Sequence, residues 1–243
     1  NDVDIWGARA ALRIELNDNW TVTPTIMGQQ TQSNGIFAQD TRLGDLQVSH
    51  YFPEHQEDNW AQAALTIQGR IANLDVTYAG SYLNRDVDYQ QDYTDYAFFY
   101  DTLAGYGAYF YDDNSVLINP AQYINAHDAY LKQSHELRFA SPAEDRLRFV
   151  GGLFYQRQYH QITQRYFTAG DLTSAFESNN LTDTIWLTEQ NRIDRDWAVF
   201  GEVSYDITPQ LTITGGARLF KYDNSLFGFF GFNTNFSSNP IYV

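Results

Sequence analysis

Cysteine is absent from this chain of 243 residues, and basic residues are scarce. The lack of cysteine excludes a disulfide framework and any metal site built from thiolates. Only 15 lysine and arginine residues stand against 30 aspartate and glutamate residues, which gives a formal charge of -15. Binding to the phosphate backbone needs clustered cationic side chains, so this balance argues against nucleic acid as a partner.

Long apolar runs are also missing. No run approaches the roughly 18 residues that a transmembrane helix needs. The first residues lack the basic start and apolar core of a signal peptide, so we expect either a cytoplasmic protein or a mature or partial product of a longer one. Aromatic residues, in contrast, make up 16% of the chain, and a chain this rich in them is not expected to be disordered.

The strongest pattern that is present is an alternation of apolar and polar residues with a period of two, which predicts β-strands. From Trp6 to Leu16 the even-numbered positions are apolar, whereas the odd-numbered positions include Arg9, Arg13 and Glu15. A cluster of turn residues follows, and the alternation resumes at Trp20. This arrangement is typical of a β-hairpin with a tight turn.

Three more segments repeat this plan. The four predicted hairpins cover about residues 4–31, 60–84, 131–158 and 193–222, with turns near Asp18, Ala72, Ala143 and Pro209. Long connections separate them, at about residues 32–59, 85–130, 159–192 and 223–243. Unstructured loops of this length are uncommon in compact soluble domains. Short turns that alternate with long loops are typical of outer-membrane barrels, in which the long loops are extracellular. We therefore predict an all-β fold, an antiparallel transmembrane β-barrel of which this chain supplies about eight strands.

A soluble β-sandwich is the alternative, because its strands alternate too, with the apolar face against a second sheet. The asymmetry of the loops favours the membrane barrel. Aromatic residues near strand ends favour it as well, since they suit the girdles at the two membrane interfaces. These residues are Trp6, Trp20, Trp60, Tyr82, Tyr155, Trp197 and Tyr205.

The two walls of the predicted strands would have different surroundings. The apolar wall would face lipid, at positions such as Leu12, Ile14, Val76, Leu153, Val203 and Ile213. The charged wall would face the lumen, through Arg9, Arg13, Glu136, Arg138, Arg148 and Arg218. Because both signs of charge occur there, we expect a network that includes Glu15, Glu136 and Glu202 rather than a substrate track.

Strand parity bears on whether the barrel is complete. The first predicted strand starts on the long-loop side and the last one ends there, whereas a bacterial barrel normally keeps both termini in the periplasm. We therefore expect the chain to be the central part of a larger barrel, without the domain that would plug it.

Six segments of the hairpins carry a family resemblance. They are Trp60–Gly69, Leu74–Tyr78 with Arg85, Ser134–Phe139, Gly151–Tyr155, Ala198–Thr208 and Leu211–Arg218. In their order and spacing they resemble the barrel of TonB-dependent outer-membrane receptors of Gram-negative bacteria. The resemblance implies a 22-stranded barrel with an N-terminal plug. It also implies uptake of a scarce nutrient, such as a siderophore, a cobalamin or a glycan, with energy from the TonB complex. No residue of this chain is assigned to the plug or to contact with TonB, and outer-membrane lipid would be the other partner.

Motifs of enzymes and metal centres are not found. The sequence has no nucleophile elbow, P-loop, dinucleotide fingerprint or paired-histidine metal motif. We therefore predict a protein that is not an enzyme, with no catalytic residue, metal or cofactor. A passive porin, or a structural or adhesion barrel, is the alternative to the receptor, and an outer-membrane hydrolase is a weaker one.

The segment from Asp86 to Tyr130 has the most unusual composition, since it holds eight aspartates and nine tyrosines but no lysine or arginine. One interpretation is a surface that captures a ligand, where aromatic faces stack and carboxylates bind hydroxyls or cations. The other is a solvated loop whose tyrosines pack on one another, and both are open at this point. The candidate ligand-binding residues are Tyr89, Asp92, Tyr93, Asp95, Tyr96, Phe98, Phe99 and Tyr100.

Overall fold

The computed structural model describes residues 2–101, 111–172 and 181–231, apart from the side chains of Phe98, Tyr100 and Asp101. These residues form nine strands in one sheet and one short helix. The strands are β1 Asp2–Ala11, β2 Ile14–Asn17, β3 Trp20–Asn34, β4 His55–Ile71, β5 Leu74–Asp92, β6 Gln122–Ala140, β7 Leu147–Thr168, β8 Thr184–Thr208 and β9 Leu211–Gly231. Helix α1, Thr94–Asp101, lies between β5 and β6.

The sheet is an antiparallel meander. Its order is β1-β3-β4-β5-β6-β7-β8-β9, and β2 continues β1 along the same side of β3. Within the part of the chain that is described, β1 and β9 are the two edges, so the sheet is open. The predicted antiparallel all-β fold is confirmed.

The first predicted strand is divided into β1 and β2 because it faces a proline. The backbone N–H of Leu12 donates to the carbonyl oxygen of Pro24 over 3.1 Å. Proline has no N–H with which to return that hydrogen bond, so the ladder is interrupted at this point. The pairing resumes between Ile14 and Val22. The eight predicted strands are therefore nine elements in eight strand positions.

The short turns lie where the sequence predicts them. Strands meet across residues 18–19, 72–73, 141–146 and 209–210. Three of these connections have two residues, and in the one between β4 and β5 Ala72 has φ 55. A positive φ is required by the turns that match the twist of a two-residue hairpin.

The strands extend well beyond their predicted ends. Regular β-strands cover much of the segments that the sequence predicts to be long loops. Strand β5 runs to Asp92, β6 starts at Gln122, β7 runs to Thr168 and β8 starts at Thr184. In these outer parts of the strands both faces carry a mixture of polar, aromatic and aliphatic residues. The period-two pattern loses its contrast there, while the backbone hydrogen bonds that define a strand continue.

Register divides the side chains into an apolar face and a polar face. The apolar face carries the lipid-facing candidates named above, and Leu12, Leu153 and Ile213 are 63%, 53% and 58% exposed. No second sheet covers this face anywhere in the described ranges. Val76, in contrast, is buried. It pairs with Gly69, and the ring of Trp20 lies over that glycine.

The buried cluster lies at the long-loop end of the sheet instead of at its centre. Ala97 of α1 packs there with Leu172 and Ile185, and Tyr166 and Trp186 pack against the three. None of the helices among the described residues is both long and apolar enough to cross a membrane.

Candidate ligand-binding site

Helix α1 is anchored to the first residue of β6. The N–H of Tyr93 donates to the carbonyl oxygen of Gln122 over 2.9 Å, and the Thr94 hydroxyl exchanges 3.2 Å hydrogen bonds with the backbone of Gln122. Thr94 and Gln122 are almost fully buried, and Ala97 one turn later is completely buried. Beyond the end of β5, the acidic and aromatic segment that the sequence singles out therefore continues as a fixed turn and helix on the end of the sheet.

Asp92, one of the predicted ligand-binding residues, holds this turn together. Its carboxylate accepts hydrogen bonds from the backbone N–H groups of Thr94 over 2.8 Å, Phe52 over 2.7 Å and Tyr51. Burial opposes ionisation of this carboxyl, but these hydrogen bonds outweigh it and lower the pKa of Asp92. The bonds to Tyr51 and Phe52 also tie the connection between β3 and β4 to the end of β5.

Aromatic rings from α1 continue across the polar face as a chain of contacts, which we call the aromatic array. The ring of Tyr96 lies 4.7 Å from that of Tyr93, which meets Tyr166 edge to face at 5.1 Å. Tyr166 in turn lies 6.5 Å from Trp186. These separations are those of favourable aromatic pairs. The array is completed by Phe99 at 6.0 Å from Tyr96 and by Phe230 at 6.0 Å from Trp186.

The array joins the helix to three strands and is partly open to solvent. Tyr166 belongs to β7, Trp186 to β8 and Phe230 to β9. Phe99 is 55% exposed and Phe230 is 40% exposed, so both ends of the array are accessible. Burial raises the pKa of Tyr93 and of Tyr166, which keeps both phenols neutral and able to donate hydrogen bonds.

The other candidates from the sequence have different surroundings. Tyr89 lies half-buried on the polar face, where its hydroxyl accepts a 3.0 Å hydrogen bond from Nε2 of Gln164. Asp95, in the first turn of α1, is exposed. The side chains of Phe98 and Tyr100 lie outside the described residues. The structure thus brings Tyr93, Tyr96 and Phe99 together, and leaves Tyr89 and Asp95 apart from them.

Sequence reasoning missed half of the array. Tyr166, Trp186 and Phe230 fall in segments that the sequence assigns to long loops without a role. Their even-numbered positions match the polar faces of β7, β8 and β9, so the alternation, continued past the apolar band, was the available signal.

The predicted charged wall is a series of local ion pairs. Arg13 lies 3.4 Å from Glu15, and Arg138 contacts Glu136. Arg148 binds Asp206 with two hydrogen bonds, of 2.5 and 2.7 Å.

Of the remaining members of that wall, Arg218 also makes an ion pair, whereas Arg9 and Glu202 make none with the described residues. Arg218 lies 3.5 Å from Asp196 and over the ring of Phe154. Arg9 lies on the polar face opposite Met27. Glu202, an expected partner, makes no ion pair with any described residue.

A second constellation crosses the polar face closer to the middle of the strands. Arg85 binds Asp58 with two hydrogen bonds of 2.8 and 2.6 Å and lies over the ring of Tyr130. The Tyr130 ring stacks on His160 at 3.9 Å. Trp60 pairs with Arg85 in register and therefore shares this face. Its predicted place in an interfacial girdle is wrong, because Ala61, its neighbour, takes the apolar face of β4.

No group of three or more histidine, aspartate or glutamate residues within the described part of the chain is arranged to hold a metal ion. The chemistry that these residues offer is stacking, hydrogen bonding and ion pairing.

This geometry defines part of a β-barrel: a long antiparallel meander with one apolar and one polar face. A solved structure with the same arrangement is the ferric yersiniabactin uptake receptor FyuA from Yersinia pestis, at a TM-score of 0.72 over 99% of this chain. The two sequences are 12% identical, so the similarity shows the fold, and this chain spans 32% of the length of that receptor. No family model and no curated protein matches the sequence.

Proposed function

We propose that this chain is part of an outer-membrane receptor that takes up a scarce nutrient with energy from the TonB complex. The observation that carries the proposal is the aromatic array at the long-loop end of the polar face. The similarity of the barrel fold to an uptake receptor supports the same class of protein.

Placement in a membrane is supported by the distribution of aromatic residues along β8. Tyr205 and Trp197 lie on the apolar face at opposite ends of a run that contains Val203 and Val199. The two aromatics are eight positions apart, which is about 26 Å along a strand and about 20 Å along the membrane normal at a strand tilt of about 40°. An apolar band about 25 Å tall between two aromatic girdles is characteristic of barrels in outer membranes. The array lies beyond the Trp197 end of this band, on the side of the long loops.

The array suits capture of a ligand because its rings are already ordered. Tyrosine and tryptophan offer large contact areas and lose little rotamer entropy on binding. The packing of Tyr93 and Tyr166 against each other and the seat of α1 on Gln122 hold the central rings before a ligand arrives. The exposed ring of Phe99 is the accessible group beside them, at the outer end of the array. A siderophore, a cobalamin or a glycan offers the flat or hydroxylated surfaces that such groups bind.

The TonB complex would act through a plug that lies outside this chain. In this proposal the chain supplies the barrel wall and part of the ligand-binding mouth. The same proposal holds that six charged residues of the polar face point into the barrel lumen: Arg9, Arg13, Glu136, Arg138, Arg148 and Arg218.

The test is uptake by cells that express the full-length protein with the double substitution Tyr93→Ala and Tyr166→Ala. Labelled ferric siderophore, cobalamin and oligosaccharide are supplied in parallel to find which compound the parent protein transports. Uptake of that compound is expected to fall at least tenfold in the double variant. A tenfold change corresponds to about 1.4 kcal/mol of lost binding free energy. Tyr123→Ala is the matched control, because Tyr123 stacks on Phe167 at 4.9 Å on the opposite face at a similar height. Heat-modifiable gel mobility reports whether each barrel assembles.

A protonophore distinguishes the receptor from a passive barrel. Energy-dependent uptake that the double substitution abolishes supports the proposal. Flux that continues without energy would identify a porin, and normal energy-dependent uptake by the double variant would reduce the array to a structural element.

A further inference from the structure

We infer that the apolar face carries a binding site for the phosphate group of an anionic membrane lipid, formed by Arg157, Arg195 and Lys221. The three residues come from the neighbouring strands β7, β8 and β9. The inference rests on the membrane placement proposed above and adds a partner on the outside of the barrel wall.

The first observation is a cross-strand pair of like charges. Arg157 and Arg195 lie directly opposite each other in the register of β7 and β8. Such a pair is destabilising unless an anion lies between the two side chains. Asp223, opposite Arg195 on β9, approaches it only to 3.9 Å. Lys221 lies on the same face of β9, two residues from Asp223, and adds a third positive charge.

The second observation is that two of these three cations, Arg157 and Lys221, lack partners in a strongly acidic protein. Most of the arginines of the described segments have a carboxylate within 4.0 Å, as Arg85 and Arg148 do. Arg157 and Lys221 make no ion pair or hydrogen bond through their side chains with any described residue. With 30 acidic residues in the chain, two unpaired cations beside Arg195 leave a local positive surface on an otherwise acidic protein.

The third observation is the level of these residues relative to the apolar band. Tyr155 and Trp197 pair in register, and their rings lie 4.2 Å apart. Arg157 and Arg195 lie two residues farther along each strand, about 7 Å beyond the aromatic pair. Aromatic rings mark the boundary between hydrocarbon and headgroups, and basic residues next to them are at the depth of lipid phosphates.

The fourth observation is an apolar depression on the other side of the aromatic pair. It has a volume of about 410 Å³ and is lined by Leu137, Leu153, Val199, Leu219 and Lys221, among others. An acyl chain could lie against the leucine and valine side chains while its headgroup reaches the cations. Arginine binds phosphate oxygens with two parallel N–H groups, which suits the facing pair. The charge and the depression together fit a phosphate that is attached to a hydrocarbon chain.

Native mass spectrometry of the full-length protein in detergent micelles tests the site. The protein is titrated with dioleoyl-phosphatidylglycerol and, separately, with dioleoyl-phosphatidylcholine, whose headgroup is neutral overall. We expect preferential binding of phosphatidylglycerol, and a loss of affinity of about fivefold for each of Arg157→Gln and Arg195→Gln. Lys221→Gln tests the same site if the arginine variants fail to assemble.

Two further substitutions make the test specific. Lys132→Gln removes a charge near the same level on the polar face and is expected to leave binding unchanged. Asp223→Asn removes the carboxylate next to Arg195 and is expected to strengthen binding, a gain that a purely structural role would not produce.

Three outcomes would overturn the inference: equal binding of the two lipids, equal losses in the Arg157 and Lys132 variants, or displacement of the lipid by excess inorganic phosphate. The last would identify a site for free anions. Equal binding of both lipids leaves the membrane placement intact, whereas a protein that binds neither lipid and shows no heat-modifiable mobility refutes the barrel placement itself.

Discussion

Gly152 of β7 and Phe200 of β8 lie directly opposite each other, and the ring of Phe200 fills the space above the glycine. A Cβ atom on Gly152 would lie 2.7 Å from Cζ of Phe200 and even closer to the carbonyl oxygen of Leu137 on β6. The glycine is therefore required by close packing on the polar face and not by the geometry of a turn.

Gly152→Ala is expected to destabilise the folded protein by about 1–3 kcal/mol, because both the ring and the neighbouring strand must shift. Gly215→Ala is the matched control, since a Cβ on that mid-strand glycine meets no atom within 4 Å. Guanidinium unfolding of the full-length protein in detergent micelles, followed by tryptophan fluorescence, measures both. Equal destabilisation by the two substitutions would contradict the packing argument.

The hydrogen bonds of Asp92 predict a response of the long-loop end to acid. Burial disfavours its ionised form, but the backbone N–H groups of Thr94, Phe52 and Tyr51 outweigh this and lower the pKa. A carboxyl whose pKa is lower in the folded state than its unfolded value, about 3.9, stabilises the fold above that pH. The contribution is lost as the pH falls through the folded pKa.

Hydrogen exchange measures this response directly. After correction for intrinsic rates, the amides of Phe52 and Thr94 are expected to be protected at neutral pH and to lose protection as the pH falls below about 4. Asp92→Asn should reduce protection already at neutral pH and remove its pH dependence. Asp45 is exposed in the connection between β3 and β4, which also contains Phe52. Asp45→Asn should therefore show the same dependence of protection on pH as the parent protein. An unchanged profile in the Asp92 variant would refute the role of this carboxylate.

The exposed apolar face predicts opposite outcomes for arginine on the two sides of the wall. Val203 is 50% exposed on the apolar face, whereas Thr214, one position away in register, lies on the polar face and bonds to Ser204 over 2.8 Å. Val203→Arg is expected to cost about 2 kcal/mol, the lower part of the range for mid-membrane arginine, because Val203 lies near the Tyr205 end of the band. Thr214→Arg should cost clearly less. Refolding into phosphatidylcholine vesicles measures both, and equal costs would argue against lipid on the apolar face.

The assignment of side chains to the apolar and polar faces shows how much the alternation of neighbouring residues can predict. The alternation of Leu153 and Val203 with polar neighbours predicts their common face, and the register confirms it. The position of Trp60 at a strand end predicts a place in a girdle. Trp60 lies on the polar face, however, because its neighbour Ala61 takes the apolar face. Proximity to a strand end predicts a girdle position correctly only where the residue also has the parity of the apolar face, as Trp197 and Tyr205 do.

Asp92 and Tyr93 show where a local pattern stops. Both are candidates for ligand binding by residue type. In the structure the carboxylate is engaged by three backbone N–H groups, and Tyr93 meets Tyr166, a ring 73 positions later in the chain. Apart from Thr94, these partners come from β7 and from the connection after β3, so no spacing within the acidic and aromatic segment contains this information.

The amino-acid sequence by itself determined the antiparallel all-β fold, the positions of the short turns and the two faces of the strands. These depend on neighbours one or two residues apart, since a strand turns alternate side chains to opposite sides. The tertiary structure alone decided which aromatic rings form the array, that Asp92 closes a turn, and that Arg157 faces Arg195. Each of these depends on register between strands, which brings together residues that are distant along the chain and share no local signal.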